Sequence, residues 1–112
     1  MNDCLFCKIV AGDIPAKLVA ENDNFLAFAD IAPTAPVHVV AVPKTHYANA
    51  AEFADADSQG MGQFMQFITE IGESETSNGY RLVFNTDADG GQTVFHVHAH
   101  VLGGRAMQWP AG

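Results

Sequence analysis

Residues 95–102 read Phe-His-Val-His-Ala-His-Val-Leu, and three of the chain's five histidines fall within five residues there. In an extended strand successive side chains alternate between faces. His96, His98 and His100 therefore share one face, and Val97, Ala99 and Val101 share the other. With a rise of roughly 3.3 Å per residue, neighbours along the histidine row stand about 7 Å apart. Three imidazoles on one face form a row that titrates near neutral pH. Such a row has three readings: a solvated strand face, a metal site, or a catalytic row in which one imidazole attacks and the others hold an anion.

The residues just upstream favour the third. Asp87-Ala88-Asp89-Gly90-Gly91-Gln92-Thr93 is polar and glycine-rich. Two glycines let the backbone come close to a ligand and turn its amides toward it. A hydroxyl and backbone N–H groups ahead of a row of imidazoles make a phosphate cradle. Taken alone, the glycines fit an ordinary connecting loop equally well.

Cys4 and Cys7 form a Cys-x-x-Cys. A redox pair of that spacing belongs with a βαβ pattern of the thioredoxin type, which the chain lacks. Zinc requires two more nitrogen or sulfur ligands. His46, just after Pro43-Lys44-Thr45, and His96 are the candidates; two unmetallated thiols are the alternative. A Cys₂His₂ set would be closed and structural. It would withdraw His96 from catalysis and anchor the N-terminal segment to the sheet. His38 sits in the apolar run VHVVAV, where a lone histidine is ordinarily a hydrogen-bonded core residue. There it could orient a neighbouring site group.

The elements that must carry these groups are short, because proline and glycine punctuate the chain. Residues 4–10 form a short helix stopped by Gly12 and Pro15. Lys17–Glu21 and Phe25–Asp30 are strands joined by Asn22-Asp23-Asn24, which is turn chemistry. His38–Val42 is a β-branched, buried strand ending at Pro43. From Asp57 to about Ser74 the pattern is helical, with Met61, Phe64, Met65, Ile68 and Ile71 on one apolar face. Tyr80–Asn85 is a strand, Thr86–Gly91 a loop, and Phe95–Leu102 the last strand, followed by the tail RAMQWPAG. The expected class is α+β: an antiparallel sheet of about five strands with one main helix. Residues 1–112 are read as one domain.

Composition narrows the function. Hydrophobic residues are 48% of the chain, which supports a packed core rather than disorder. The formal charge of −8, from 13 acidic and 5 basic side chains, argues against binding a DNA or RNA backbone. A single mononucleotide differs, since amides and imidazoles can hold one phosphate. No basic leader or long apolar run is visible near Met1, and the stretch from Val37 to Pro43 is too short to span a bilayer. The expectation is a cytoplasmic protein with no membrane partner, where two cysteines are ordinarily thiols or metal ligands.

The pattern His-φ-His-φ-His-φ-φ, with φ apolar, is the signature of the histidine triad (HIT) family, which this chain resembles. It is most similar to the Hint branch, the nucleoside phosphoramidate hydrolases. The resemblance runs from CLFCKIVAGDIPAKLVAENDNFLAFADIAPTAPVHVVAVPKTHY through GYRLVFNTDADGGQTVFHVHAHVLGGRAMQWPAG. The GGQT lead-in to the triad and the GGRAMQWP tail are its most specific parts, and the central helix is generic.

The resemblance implies a homodimer whose two sheets join into one β-layer, each site taking a purine nucleoside monophosphate. It implies that Phe6, Ile9, Phe28 and Ile31 line the base slot and that Asp30 holds the ribose hydroxyls. Asn85, Thr93, the amide of Val94, and His100 would meet the phosphate, and Gly91 would also belong to the nucleotide site. His98 would be the nucleophile, with His38, Thr93 and His100 supporting it and no catalytic metal needed. Trp109 would reach toward the partner's site. Zinc-bearing members carry Cys4, Cys7, His46 and His96 together, which favours a structural zinc here. Many Hint proteins have serine at the Thr93 position, so the hydroxyl is kept. The implied reaction is cleavage of a P–N bond through a nucleotidyl-histidine. The rivals are a dinucleoside polyphosphate hydrolase or nucleotidyl transferase of the same family, and a non-catalytic nucleotide- or zinc-binding module.

Overall fold

The computed structural model describes residues 3–112. Five antiparallel strands form one sheet: β1 (Leu18–Glu21), β2 (Phe25–Ala29), β3 (Val37–Pro43), β4 (Tyr80–Phe84) and β5 (Ala99–Gly103). Their order across the sheet is β1-β2-β3-β5-β4. The class and the strand number agree with the sequence reading. The β1–β2 hairpin turns where expected, because the Asn22 side-chain oxygen accepts from the backbone N–H groups of Asn24 and Phe25 at 2.9 Å.

The alternation along the strands separates two apolar layers. Phe25 and Ala27 of β2, Val39 and Ala41 of β3, and Ala99 and Val101 of β5 face one side. There they meet Phe64, Phe67, Ile68 and Ile71 of the main helix, α3 (Ser58–Glu75). Leu26, Phe28, Val40 and Val42 face the other side, where Phe6 of the short helix α1 (Leu5–Val10) joins them. The side of the sheet bearing α1 is also the side of His98 and His100.

Three local expectations need correction. The paired part of the last strand is Ala99–Gly103, not Phe95–Leu102. Residues 94–98 leave the ladder because β3 ends at Pro43, which has no N–H to offer. The Val97 N–H donates instead to the carbonyl of Tyr47, at 2.7 Å. The segment 86–91 contains one helical turn, α4 (Asp87–Gly90), closed by Gly91 in the left-handed region at φ 79°. On α3, Phe67 is buried and Met65 is exposed, so the inward stripe runs through Gly60, Phe64, Phe67, Ile68 and Ile71.

A further helix, α2 (Ala50–Ala56), has no counterpart in the apolar periodicity of the sequence. Asn49 caps it by accepting from the Glu52 N–H at 2.9 Å. Its Phe53 ring stacks on Tyr47, with centroids 4.8 Å apart.

Candidate active site and metal centre

The strand register brings the histidines together. His100 stands opposite Val40 and His38 opposite Leu102 in the β3–β5 pair. The two imidazoles are therefore diagonal neighbours on one face, within reach of each other. His38 Nε2 lies 2.9 Å from His100 Nδ1.

Their protons can be placed from a third group. The backbone N–H of Thr34 points at His38 Nδ1 from 3.1 Å. A backbone N–H only donates, so His38 Nδ1 accepts and the His38 proton sits on Nε2. That Nε2–H donates to His100 Nδ1, with the Asp30 carboxylate as a more distant second acceptor at 3.3 Å. The proton of neutral His100 is thereby fixed on its Nε2. Burial pushes the His100 pKa down to about 4, helped by the neighbouring His98 and His38 and opposed by Asp30.

His98 is fixed differently. Its Nδ1–H donates to the carbonyl oxygen of His96 at 2.8 Å, which leaves the lone pair on Nε2. No hydrogen-bond partner within the described residues occupies that Nε2. Burial lowers the His98 pKa, against the opposing pull of the His96 carbonyl and Asp30. The neutral, nucleophilic form is the one this environment favours. Phe6 presses edge-on against the ring, at 5.0 Å between centroids.

These groups open into a cleft of about 420 Å³, within the usual range for small-molecule sites, roughly 300–1,000 Å³. Of the residues named from the sequence, Phe6, Ile9, Phe28, Asp30, Ile31, Asn85, Gly91, Thr93, Val94, His98 and His100 line it. His38 stands behind His100 rather than in the wall. Trp109 is not among the lining residues of the single chain and is 85% exposed.

Two contributors carried no assigned role in the sequence reading. Gln92 is buried, and its side chain binds the Asp87 N–H at 2.9 Å and the carbonyls of Ala48 and Val94 at 2.7 and 3.0 Å. It ties the glycine-rich turn to the body of the protein. Its signal was its place inside GGQT. Thr34 acts through its main chain and has no side-chain signal to read. Asn85 also braces the turn, donating to the Gly90 carbonyl at 2.7 Å.

A second cluster lies beside the first. Cys4 Sγ is 3.3 Å from His96 Nδ1, Cys7 Sγ is 3.4 Å from both His46 Nδ1 and His96 Nδ1, and the two Nδ1 atoms are 3.1 Å apart. All four donor atoms lie within 4.8 Å of one another. A tetrahedral zinc with Zn–N near 2.0 Å and Zn–S near 2.3 Å needs ligand atoms about 3.3–3.8 Å apart. The donor set fits. The fully buried His96 has Nε2 at 2.8 Å from the Pro43 carbonyl, which takes the Nε2–H and turns the Nδ1 lone pair toward the cluster. This is the usual outer support of a metal-binding imidazole.

A family profile described as HIT domain matches residues 11–107. The chain belongs to the HIT domain family. Among its relatives, an uncharacterized HIT-like protein of Synechococcus elongatus is 46% identical over 112 residues, spanning 98% of this chain and 97% of the relative. A HIT family hydrolase from Legionella pneumophila superposes with a TM-score of 0.93 at 46% identity, covering 98% of this chain and all of that one, 100%. A zinc-bound histidine triad family protein from Mycobacterium smegmatis superposes at 0.77 with 34% identity, over 92% of this chain and 76% of that one. The row of His96, His98 and His100 lies within the residues that the HIT domain profile matches. Among its described residues, no helix is long and apolar enough to cross a membrane.

Proposed function

We propose that this HIT protein is a hydrolase of the Hint type, acting on purine nucleoside 5′-phosphoramidates. The observation that carries the reading is the 2.8 Å bond from His98 Nδ1 to the His96 carbonyl. It leaves one neutral imidazole nitrogen unoccupied at a cleft of nucleotide size.

In the proposed reaction the Nε2 lone pair of His98 attacks the α-phosphorus. The P–N bond to the amine breaks, and the amine leaves after taking a proton from water. The resulting nucleotidyl-imidazole is cationic, and the His96 carbonyl stabilises its Nδ1–H. Water then attacks phosphorus, the bond to His98 breaks, and nucleoside monophosphate is released with a proton. His100 Nε2–H, the Thr93 hydroxyl and the Val94 amide offer donors to the phosphoryl oxygens. Phe6, Ile9, Phe28 and Ile31 would hold the base, and Asp30 the ribose. Cys4, Cys7, His46 and His96 would hold a structural zinc, which would clamp the first helix to the sheet.

The same reading places the working unit as a homodimer in the cytoplasm, each chain a single HIT domain over 1–112. Strand β4 is an edge of the sheet and so offers the row of backbone groups that a second copy would extend. Trp109, exposed in one chain, would then approach the other chain's cleft.

The test is hydrolysis of adenosine 5′-phosphoramidate by the wild type and His98→Ala, with circular dichroism to confirm folding. Turnover in the wild type, reduced by several orders of magnitude in the variant, is the expected result. Equal rates in both would remove His98 from the chemistry. AMP binding without turnover of any phosphoramidate or dinucleoside polyphosphate would replace the enzyme with a binding module.

A further inference from the structure

Two links join the cysteine–histidine cluster to the nucleotide cleft, one through a helix and one through the main chain of residue 96. The first is helix α1. It has only six residues, far below the roughly 12–15 at which a helix holds itself in water. Its position therefore depends on what its ends and faces touch. Cys4 is its N-cap, and Cys4 and Cys7 both point into the metal cluster. Between and beyond them, Phe6 and Ile9 line the cleft. The Phe6 ring meets Phe28 at 5.5 Å and His98 at 5.0 Å between centroids. One short helix thus carries half of the metal ligands and part of the slot for the base.

The second link is His96 itself. Its side chain belongs to the cluster through Nδ1, while its main-chain carbonyl holds Nδ1–H of His98. A change in the main-chain torsions of residue 96 would displace both its ring and the carbonyl that holds His98 Nδ1–H.

We propose that the Cys4–Cys7–His46–His96 centre and the nucleotide cleft bind cooperatively: closing these four ligands on zinc fixes α1 and the His96–His98 main chain, and so raises affinity for a nucleoside monophosphate. This rests on the nucleotide reading of the cleft given above. Because coupling between two binding equilibria is reciprocal, nucleotide must tighten zinc by the same factor. The centre then does more than stabilise the fold; it sets how much of the protein is ready for ligand.

The experiment uses the full chain, zinc and AMP. AMP affinity is measured by calorimetry for the zinc-loaded protein and for protein stripped with a chelator, with helix content followed by circular dichroism. Zinc affinity is measured by competition with a chromophoric chelator, with and without saturating AMP. The expected result is AMP binding about tenfold tighter in the zinc-loaded form, and an equal gain in zinc affinity when AMP is present. Equal AMP affinities in the two forms would overturn the coupling and leave the nucleotide site standing. Zinc-loaded protein that does not bind AMP would overturn the reading of the cleft and the coupling with it. A chain that does not bind zinc would overturn the coupling alone. Should the stripped chain unfold, cobalt(II)-loaded protein, which keeps the centre filled throughout, decides the matter. Its visible absorption bands shift on AMP saturation if the two sites are coupled, and unchanged bands overturn the proposal.

Discussion

His38 Nε2 lies 2.9 Å from His100 Nδ1, and the Thr34 N–H behind it settles the direction of that bond. The chain Thr34 N–H to His38, then His38 to His100, ends with a donor on His100 Nε2. A neutral histidine pair would ordinarily be free to exchange tautomers. Here one main-chain amide selects a single arrangement, and that arrangement aims a hydrogen-bond donor at the cleft. His38 is not in the cleft wall, so on the proposed function it would be a positioning residue.

Removing that orientation has a distinct kinetic signature. In His38→Ala, His100 is free to place its proton on either nitrogen. The expected loss in kcat for adenosine 5′-phosphoramidate is about 10- to 100-fold, the effect of removing an orienting partner from a functional imidazole. KM should change far less, because the walls of the cleft are untouched. A variant whose KM rises while kcat holds would show that His38 shapes the cleft rather than orienting His100.

Acid acts on His100 through its proton balance. The free imidazole titrates at 6.5, whereas in the fold His100 stays neutral down to about 4. Between those values the unfolded chain binds more protons than the native one. Stability from this group is therefore complete above pH 6.5 and is lost progressively as pH falls toward 4. Denaturant midpoints at pH 7, 5.5 and 4.5 should decline in the wild type. They should decline less in His100→Asn, which has no imidazole to charge at that position. Equal declines in the two proteins would assign the acid sensitivity elsewhere.

The parts of the fold and site that were legible in sequence are those written in side-chain alternation. His96, His98 and His100 keep one face and Val97, Ala99 and Val101 the other, although only Ala99–Gly103 is paired in the sheet. Alternation survives outside the ladder because Val97 is anchored in the core and the histidines are held from the opposite side. What sequence could not show were contacts made by main-chain atoms. The Thr34 amide, the His96 carbonyl and the Pro43 carbonyl each fix a histidine tautomer, and no side-chain pattern encodes them. Helix α2 is illegible in the sequence for another reason. Its signal is the local cap of Asn49 on Glu52, while only Phe53 of its seven residues is buried, too few to make a periodic stripe.

Gln92 gives a test of the turn as a phosphate cradle. Its three side-chain bonds hold Asp87, Ala48 and Val94 together from a buried position. Gln92→Ala leaves those main-chain groups unsatisfied, at a cost of about 1–3 kcal/mol each where water cannot replace the partner. Thermal denaturation should show the loss in stability. The Val94 amide and Thr93 hydroxyl would also lose their fixed positions, so AMP should bind more weakly. Loss of stability with unchanged AMP affinity would mean that the turn does not touch phosphate.

Thr93 separates the contribution of a hydroxyl from that of shape. It is exposed in the wall of the cleft, two residues past the left-handed Gly91, and forms no side-chain hydrogen bond among the described residues. Thr93→Val keeps the branched shape and removes only the donor. A hydrogen bond to a phosphoryl oxygen contributes about 1.4 kcal/mol, so kcat/KM should fall about tenfold. Thr93→Ser keeps the donor, loses a methyl group on an exposed wall, and should stay within about twofold of wild type. The two variants together decide the role. If valine is tolerated and serine is not, packing of the methyl group matters and the hydroxyl does not. The expected opposite order would place the Thr93 oxygen on the phosphate.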